Sequence, residues 1–165
     1  MFRRLLNTRS LCMSAVIAAL YAALTLLLAP ISYGNLQCRV SEALTILPVL
    51  FPEAIPGLTV GCLLANLLGS ATPWDVIFGT LATLIAALLT YATRSALWTK
   101  WKLPVLSAVW PVLSNGIIVG IILSVTFNLP LFLTMLEVAV GELVALFIGL
   151  LLYPALGKLK DHIHI

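Results

Sequence analysis

The sequence predicts an all-α polytopic integral membrane protein, a bundle of six transmembrane helices forming one domain over residues 1–165. Three observations carry that prediction. Apolar side chains make up 62% of the residues and charged ones 9%, against about 45–50% and about 25% in a soluble domain. Six apolar stretches, broken by Pro, Gly and Asn, fill almost the whole chain. If all six cross, Arg3, Arg4, Arg9, Arg94, Lys100, Lys102, Lys158 and Lys160 fall on one side and only Arg39 on the other. A mean hydropathy of +1.14 leaves too little polar surface to cover a soluble core of this size, so lipid must be the main solvent. The formal charge of +3 is scattered between apolar spans. That is a topology signal, not a nucleic-acid footprint, and it places both termini in the cytoplasm.

The elements follow in order. Helix one runs over about 10–29, with Ser10 as N-cap and Pro30 as its stop. The basic residues before it could open a signal peptide, but the apolar run is too long and no small-x-small cleavage site precedes Pro30. Helix two (41–51) is short and contains Pro48, and helix three (57–68) is short as well. Neither crosses a core of about 30 Å comfortably. They either lie in locally thin bilayer or are partly buried in protein, and a cavity is expected beside them. Helix four runs over 74–96, helix five over 104–127 with a kink at Pro111, and helix six over 130–156.

Small residues recur at helical spacing. Gly57, Gly61, Ala65 and Gly69 stripe helix three, where internal packing is the expected role. Ala15, Ala19 and Ala23 stripe helix one, with Ala18 and Ala22 beside them. That stripe is wide enough to serve two neighbours, so internal packing and docking of another membrane protein stand level.

The polar residues inside the spans need a reason. Asp161 and Glu53 are expected at solvated ends. Glu42, Asp75, Glu137 and Glu142 fall in the outer half with Arg39 opposite them, a net of −3 that favours a cationic guest. Glu142 lies about 18 Å down helix six, near the midplane. A carboxylate there costs about 2.5–3.5 kcal/mol and marks either function or a bond to another helix. Its i+3 and i+7 neighbours, Ala145 and Gly149, form a face small enough to pack a helix closely. Glu137 is shallower and about 140° round the helix from it. Asn115 and Asn66 can each give and take hydrogen bonds, to a heterocycle or to a neighbouring helix. Trp74 opens helix four as an interface anchor or a stacking ring, and Asp75 suits the helix N-terminus beside it. Trp110 is a second candidate for stacking. Arg39 and Glu42 flank the start of helix two and could pair or close over a ligand, with Tyr33 in the same loop.

Other signals are negative. Cys12, Cys38 and Cys62 lack metal-ligand spacing and read as small apolar fillers; the H-x-H at His162 and His164 reads as tail. No metal or cofactor is expected. There is no phosphate-binding G-x-x-x-x-G-K-[ST] and no nucleophile–base constellation for an intramembrane enzyme.

Several of these residues belong to longer matching runs. Tyr33 to Leu44 (YGNLQCRVSEAL), Pro52 to Gly57 (PEAIPG), Gly61 to Asn66 (GCLLAN), Ala71 to Asp75 (ATPWD), Trp110 to Gly116 (WPVLSNG) and Gly141-Glu142 together resemble the QueT family. The resemblance spans helix one to helix six. It implies a substrate-binding S component of an energy-coupling-factor (ECF) transporter in a prokaryotic cell membrane. It also implies a ligand held in the outer half, beneath the loop joining helices one and two. The implied partners are a transmembrane T component and two ATPase subunits, with Ala15, Ala19 and Ala23 as the docking surface. The implied cargo is a queuosine precursor such as 7-aminomethyl-7-deazaguanine. A guanine-type edge offers two adjacent N–H donors to one carboxylate, Glu142 or Glu42, while Asn115 or Asn66 would meet the carbonyl. The alternatives are an S component for another cationic heterocycle or vitamin, and a stand-alone secondary transporter. The latter should show internal repeats, and none is visible.

Overall fold

The computed structural model describes residues 7–32, 39–69, 72–95 and 103–163, with side chains to Lys158. All regular structure among them is helical. α1 spans Thr8–Leu27, beginning two residues before the expected Ser10, and a single further turn covers Ala29–Ser32. α2 is Val40–Val49, α3 is Ala54–Gly69, α4 is Asp75–Ala92, α5 is Val105–Phe127 and α6 is Leu131–Ile163. α1, α4, α5 and α6 are long and apolar enough to cross a membrane; α2 and α3 are shorter. The protein is an all-α, multi-pass membrane protein.

α2 organises the rest. Its ten residues wind as a 3₁₀ helix. At about 2.0 Å per residue that covers roughly 20 Å, where an α-helix would cover roughly 15 Å. Three residues per turn divide the surface into three faces. Ala43, Ile46 and Val49 meet α6 and α5, where Ile46 and Val49 cluster with Ala108 and Tyr153. Leu44 and Leu47 meet α1 and α3 through Ile17, Tyr21 and Leu58, and Ser41 bonds Thr25 of α1 at 2.6 Å. Glu42 heads the third face. Ser41 to Val49 are all buried, with α1, α3, α4, α5 and α6 packed around them. A segment too short to span is therefore held entirely in protein, the second of the two alternatives for it.

Small residues set how closely helices approach this strut. A Cβ on Gly61 would lie 2.8 Å from the Ala18 carbonyl oxygen, and one on Gly149 would lie 2.6 Å from that of Ala43. The first contact is the α1–α3 seam, with Ala65 buried further along it. The second seats α6 on α2. The face of α1 used in the seam is Ile17, Ala18, Tyr21, Ala22 and Thr25. Ala15, Ala19 and Ala23 lie on the opposite, exposed face.

The hairpin between α5 and α6 turns on Asn128, whose left-handed φ of 53° suits an asparagine at a helix end. The Ser124 carbonyl accepts from the Leu129 amide at 3.0 Å, and the Ser124 hydroxyl donates back to the Leu129 carbonyl at 2.7 Å. α6 continues past Pro154, running beyond the expected end at 156. One expectation is corrected. Glu53, assigned to a solvated end, is only 5% exposed, because the α2–α3 turn folds under the start of α1. There the Ser14 hydroxyl bonds its carbonyl oxygen at 2.8 Å and Ser10 reaches its carboxylate at 3.4 Å.

Candidate functional site

Two carboxylates meet inside the bundle. Glu42 comes from the first turn of α2, where the helix dipole favours an acid. Glu142 comes from the face of α6 that continues through Ala145 and Gly149 onto α2. They are 1% and 3% exposed. Each is tied through one oxygen. Glu42 Oε1 accepts from the Tyr21 hydroxyl of α1 and, at 3.4 Å, from Thr83 of α4. Glu142 Oε1 accepts from Asn115 Nδ2 of α5 at 2.9 Å. The two acids and Arg39 are near enough for their charges to act on one another.

Among the described residues, the second oxygen of each carboxylate is buried and has no partner: Glu42 Oε2 and Glu142 Oε2. Buried polar atoms are nearly always bonded, so paired exceptions in one place call for a missing partner. Asn66, fully buried on α3, adds a third. Its Nδ2 donates to the Asp75 carbonyl at 3.1 Å and to Cys62 Sγ at 3.4 Å, while its Oδ1 has no partner. Thr83 links this amide to the acids by reaching Cys62 Sγ at 3.3 Å as well as Glu42.

The backbone of α4 makes room for Asn66. Pro73 opens the helix and Thr72 caps it, its hydroxyl accepting from the Asp75 amide at 3.3 Å and donating to Asp75 Oδ2 at 2.7 Å. Asp75–Gly79 then winds as a wider π-turn, a form that recurs at functional sites. Gly79 closes that turn. A Cβ there would sit 3.0 Å from Asn66 Nδ2 and 4.0 Å from Arg39 Nη1. Arg39, 5% exposed, is thereby placed beside Asn66 at the mouth of α2.

Of the residues singled out in the sequence, Glu42, Glu142, Asn115, Asn66 and Arg39 come together, with Asp75 at the rim. Glu137 is half-buried on α6, off the Glu142 face. Trp74 is exposed, tilted against Phe78 with ring centroids 6.0 Å apart. It lines an outer groove of about 460 Å³ with Ile121 and Val125. Trp110 points to the other end of the bundle and donates to Thr93 Oγ1 at 3.0 Å. Tyr33 lies outside the described residues. Tyr21 and Thr83 were not singled out, and Cys62 was read as an apolar filler. The available signal was a tyrosine and a threonine, each amid apolar residues on a helix face, since buried hydroxyls seek partners.

Residues 11–158 match the model of the QueT transporter family. The chain is also similar to a Lactococcus lactis subsp. cremoris (strain MG1363) protein called Queuosine precursor transporter QueT. The two are 34% identical over 155 residues, covering 89% of this chain and 91% of the relative. No solved structure matches.

Proposed function

The chain belongs to the QueT transporter family, and on that premise we propose that it binds and carries a queuosine precursor, 7-aminomethyl-7-deazaguanine or a close deazapurine, held by Glu42, Glu142, Asn66, Asn115 and Arg39. One observation supports this most. Three of the six buried side-chain atoms that lack partners among the described residues belong to this site: Glu42 Oε2 on α2, Asn66 Oδ1 on α3 and Glu142 Oε2 on α6. A deazaguanine with an aminomethyl arm is rich in N–H donors and cationic, so it complements such a lining. The test is calorimetric titration of the detergent-solubilised protein with 7-aminomethyl-7-deazaguanine. Glu142→Gln should weaken binding about 100-fold, the scale of a charge-assisted bond lost in a buried site. Unchanged affinity removes Glu142 from the site.

The mode of transport in this reading is that of an ECF S component. A T component and two ATPase subunits supply the work, and the chain sits with both termini in the cytoplasm. The row of Ala15, Ala19 and Ala23 supports it, because those small residues are exposed on α1 among the described residues. Ala19→Trp should abolish co-purification with a T component while ligand binding persists. Uptake by the chain alone in liposomes under an ion gradient would favour the secondary-transporter alternative instead.

A further inference from the structure

We propose that Thr80 sets ligand affinity from outside the site. It opposes the wide π-turn that holds Asn66 as an acceptor, so the ligand-free protein divides between a wide and a tight winding of α4, and the ligand selects the wide one. The inference deepens the role given to Asn66 above and rests on that reading for the identity of the ligand.

Threonine hydroxyls show what the turn leaves undone. Thr25, Thr59, Thr83, Thr93 and Thr134 each donate to the carbonyl four residues earlier, at 2.8 to 3.1 Å. That bond needs the spacing of an α-helix. Thr80 directly follows the π-turn, and its buried Oγ1 has no partner among the described residues. Wound as an α-helix, the same residue would reach the carbonyl of Val76, four residues back. Pairing resumes three residues on, where Thr83 donates to the Gly79 carbonyl. Asn66 holds the wide form against this loss. Its Nδ2 carries two hydrogens, and the Asp75 carbonyl at 3.1 Å and Cys62 Sγ at 3.4 Å account for both. A carbonyl only accepts, so the amide is fixed with Oδ1 as the atom left for a ligand. Gly79 supplies the room, since a Cβ there would stand 3.0 Å from Nδ2.

Tightening the turn takes up one residue's worth of rotation, about 100°. The helix opens at Pro73, two residues before Asp75, so that short end is the part that turns. The Asp75 carbonyl would swing away from Asn66 as Thr80 gained Val76. Trp74, tilted against Phe78 in the outer groove, would swing with it. In the wide form Thr80 Oγ1 and Asn66 Oδ1 both lack partners. A ligand N–H on Oδ1 removes one of those two losses and shifts the population to the wide form. The measured affinity is then reduced by the fraction of free protein that is wound tight.

The test uses the full chain in detergent, with 7-aminomethyl-7-deazaguanine followed by calorimetry and Trp74 followed by fluorine NMR after 5-fluorotryptophan labelling. Trp74→Phe assigns the signal. Thr80→Val keeps the shape and removes the hydroxyl, and it should tighten binding about three- to tenfold. Thr80→Ser keeps the hydroxyl and should bind as the native protein does. The Trp74 signal should move in one direction with Thr80→Val and with saturating ligand, and stay in place with Thr80→Ser. A purely structural Thr80 would change the melting temperature and leave both readouts alone. Either readout unchanged in Thr80→Val overturns the proposal, and so does equal tightening in Thr80→Ser. If the native protein does not bind the deazapurine, the reading of the cargo fails and the ligand-free Trp74 signal decides. A shift in Thr80→Val without one in Thr80→Ser keeps the two windings, and any other pattern discards them.

Discussion

Two of the polar clusters within this bundle differ in what is left over. The first, near the ends of α4 and α5, joins Thr90, Thr93, Ser107 and Trp110. Thr90 Oγ1 donates to the Ser107 carbonyl at 2.9 Å, Thr93 Oγ1 reaches the Leu89 carbonyl at 2.8 Å and Ser107 Oγ at 3.2 Å, and Trp110 Nε1 donates to Thr93. Every side chain in it has a partner. The second joins Tyr21, Glu42, Cys62, Asn66, Thr83, Asn115 and Glu142, and three of its acceptors have none. A completed network in a low-dielectric interior holds helices together and needs nothing more. An incomplete one made of acceptors is complementary to donors from elsewhere. Polar content alone therefore does not locate a binding site in a membrane bundle; unmatched acceptors on three helices are a better guide than a single one such as Glu53 Oε2.

The comparison breaks most visibly at Asn66. Asn66→Leu keeps the side-chain volume and removes the free Oδ1. It should reduce deazapurine affinity about 10-fold or more, the lower end of the range for a hydrogen bond with a charged or strongly polarised partner. Gly79→Ala should give a smaller loss in the same direction, because the added methyl crowds the Asn66 amide without removing it. If both variants bind as well as the native protein, the unmatched acceptor has no ligand role and the two clusters are alike.

Tyr21→Phe sharpens the contrast at the other carboxylate. It leaves Glu42 with Thr83 alone on Oε1, so the acid can turn. The expected loss in affinity is about fivefold, one neutral hydrogen bond's worth of positioning. Unchanged affinity would assign Tyr21 to packing of the α1–α2 contact instead.

Much of this was legible beforehand, for physical reasons. Apolar length marks the long helices α1, α4, α5 and α6, because the bilayer imposes that length. Glu142 stood out because a carboxylate near the midplane is costly wherever it faces. The stripe on α3 read as packing, and Gly61 against Ala18 is that contact. Other features were out of reach. The 3₁₀ winding of α2 arises from tertiary confinement on all sides, which no local pattern in Ser41–Val49 announces. Tyr21 and Thr83 looked like ordinary helix residues until α2 brought Glu42 between them. Glu53 read as solvated because the turn's place beneath α1 depends on the close α1–α3 seam. Trp110 was a candidate for stacking by residue type alone; its direction is set by Thr93, seventeen residues away on another helix.

Trp110 also supplies the smallest effect and the cleanest control. Thr93→Val removes the hydroxyl that accepts from Trp110 and leaves the indole N–H without that partner. Trp110→Phe removes the donor instead, and Thr93 keeps its bonds to Leu89 and Ser107. Buried hydrogen bonds between membrane helices average about 0.6 kcal/mol and rarely exceed about 1.7 kcal/mol. Thr93→Val should therefore lower unfolding stability in micelles by about 1 kcal/mol, and the hydrogen-bond part of Trp110→Phe should be about half of that. Neither should change deazapurine affinity, since a satisfied cluster has nothing to offer a ligand. If Trp110→Phe weakened binding tenfold while Thr93→Val did not, the indole would be stacking on the ring. The half of the bundle assigned to structure would then belong to the site.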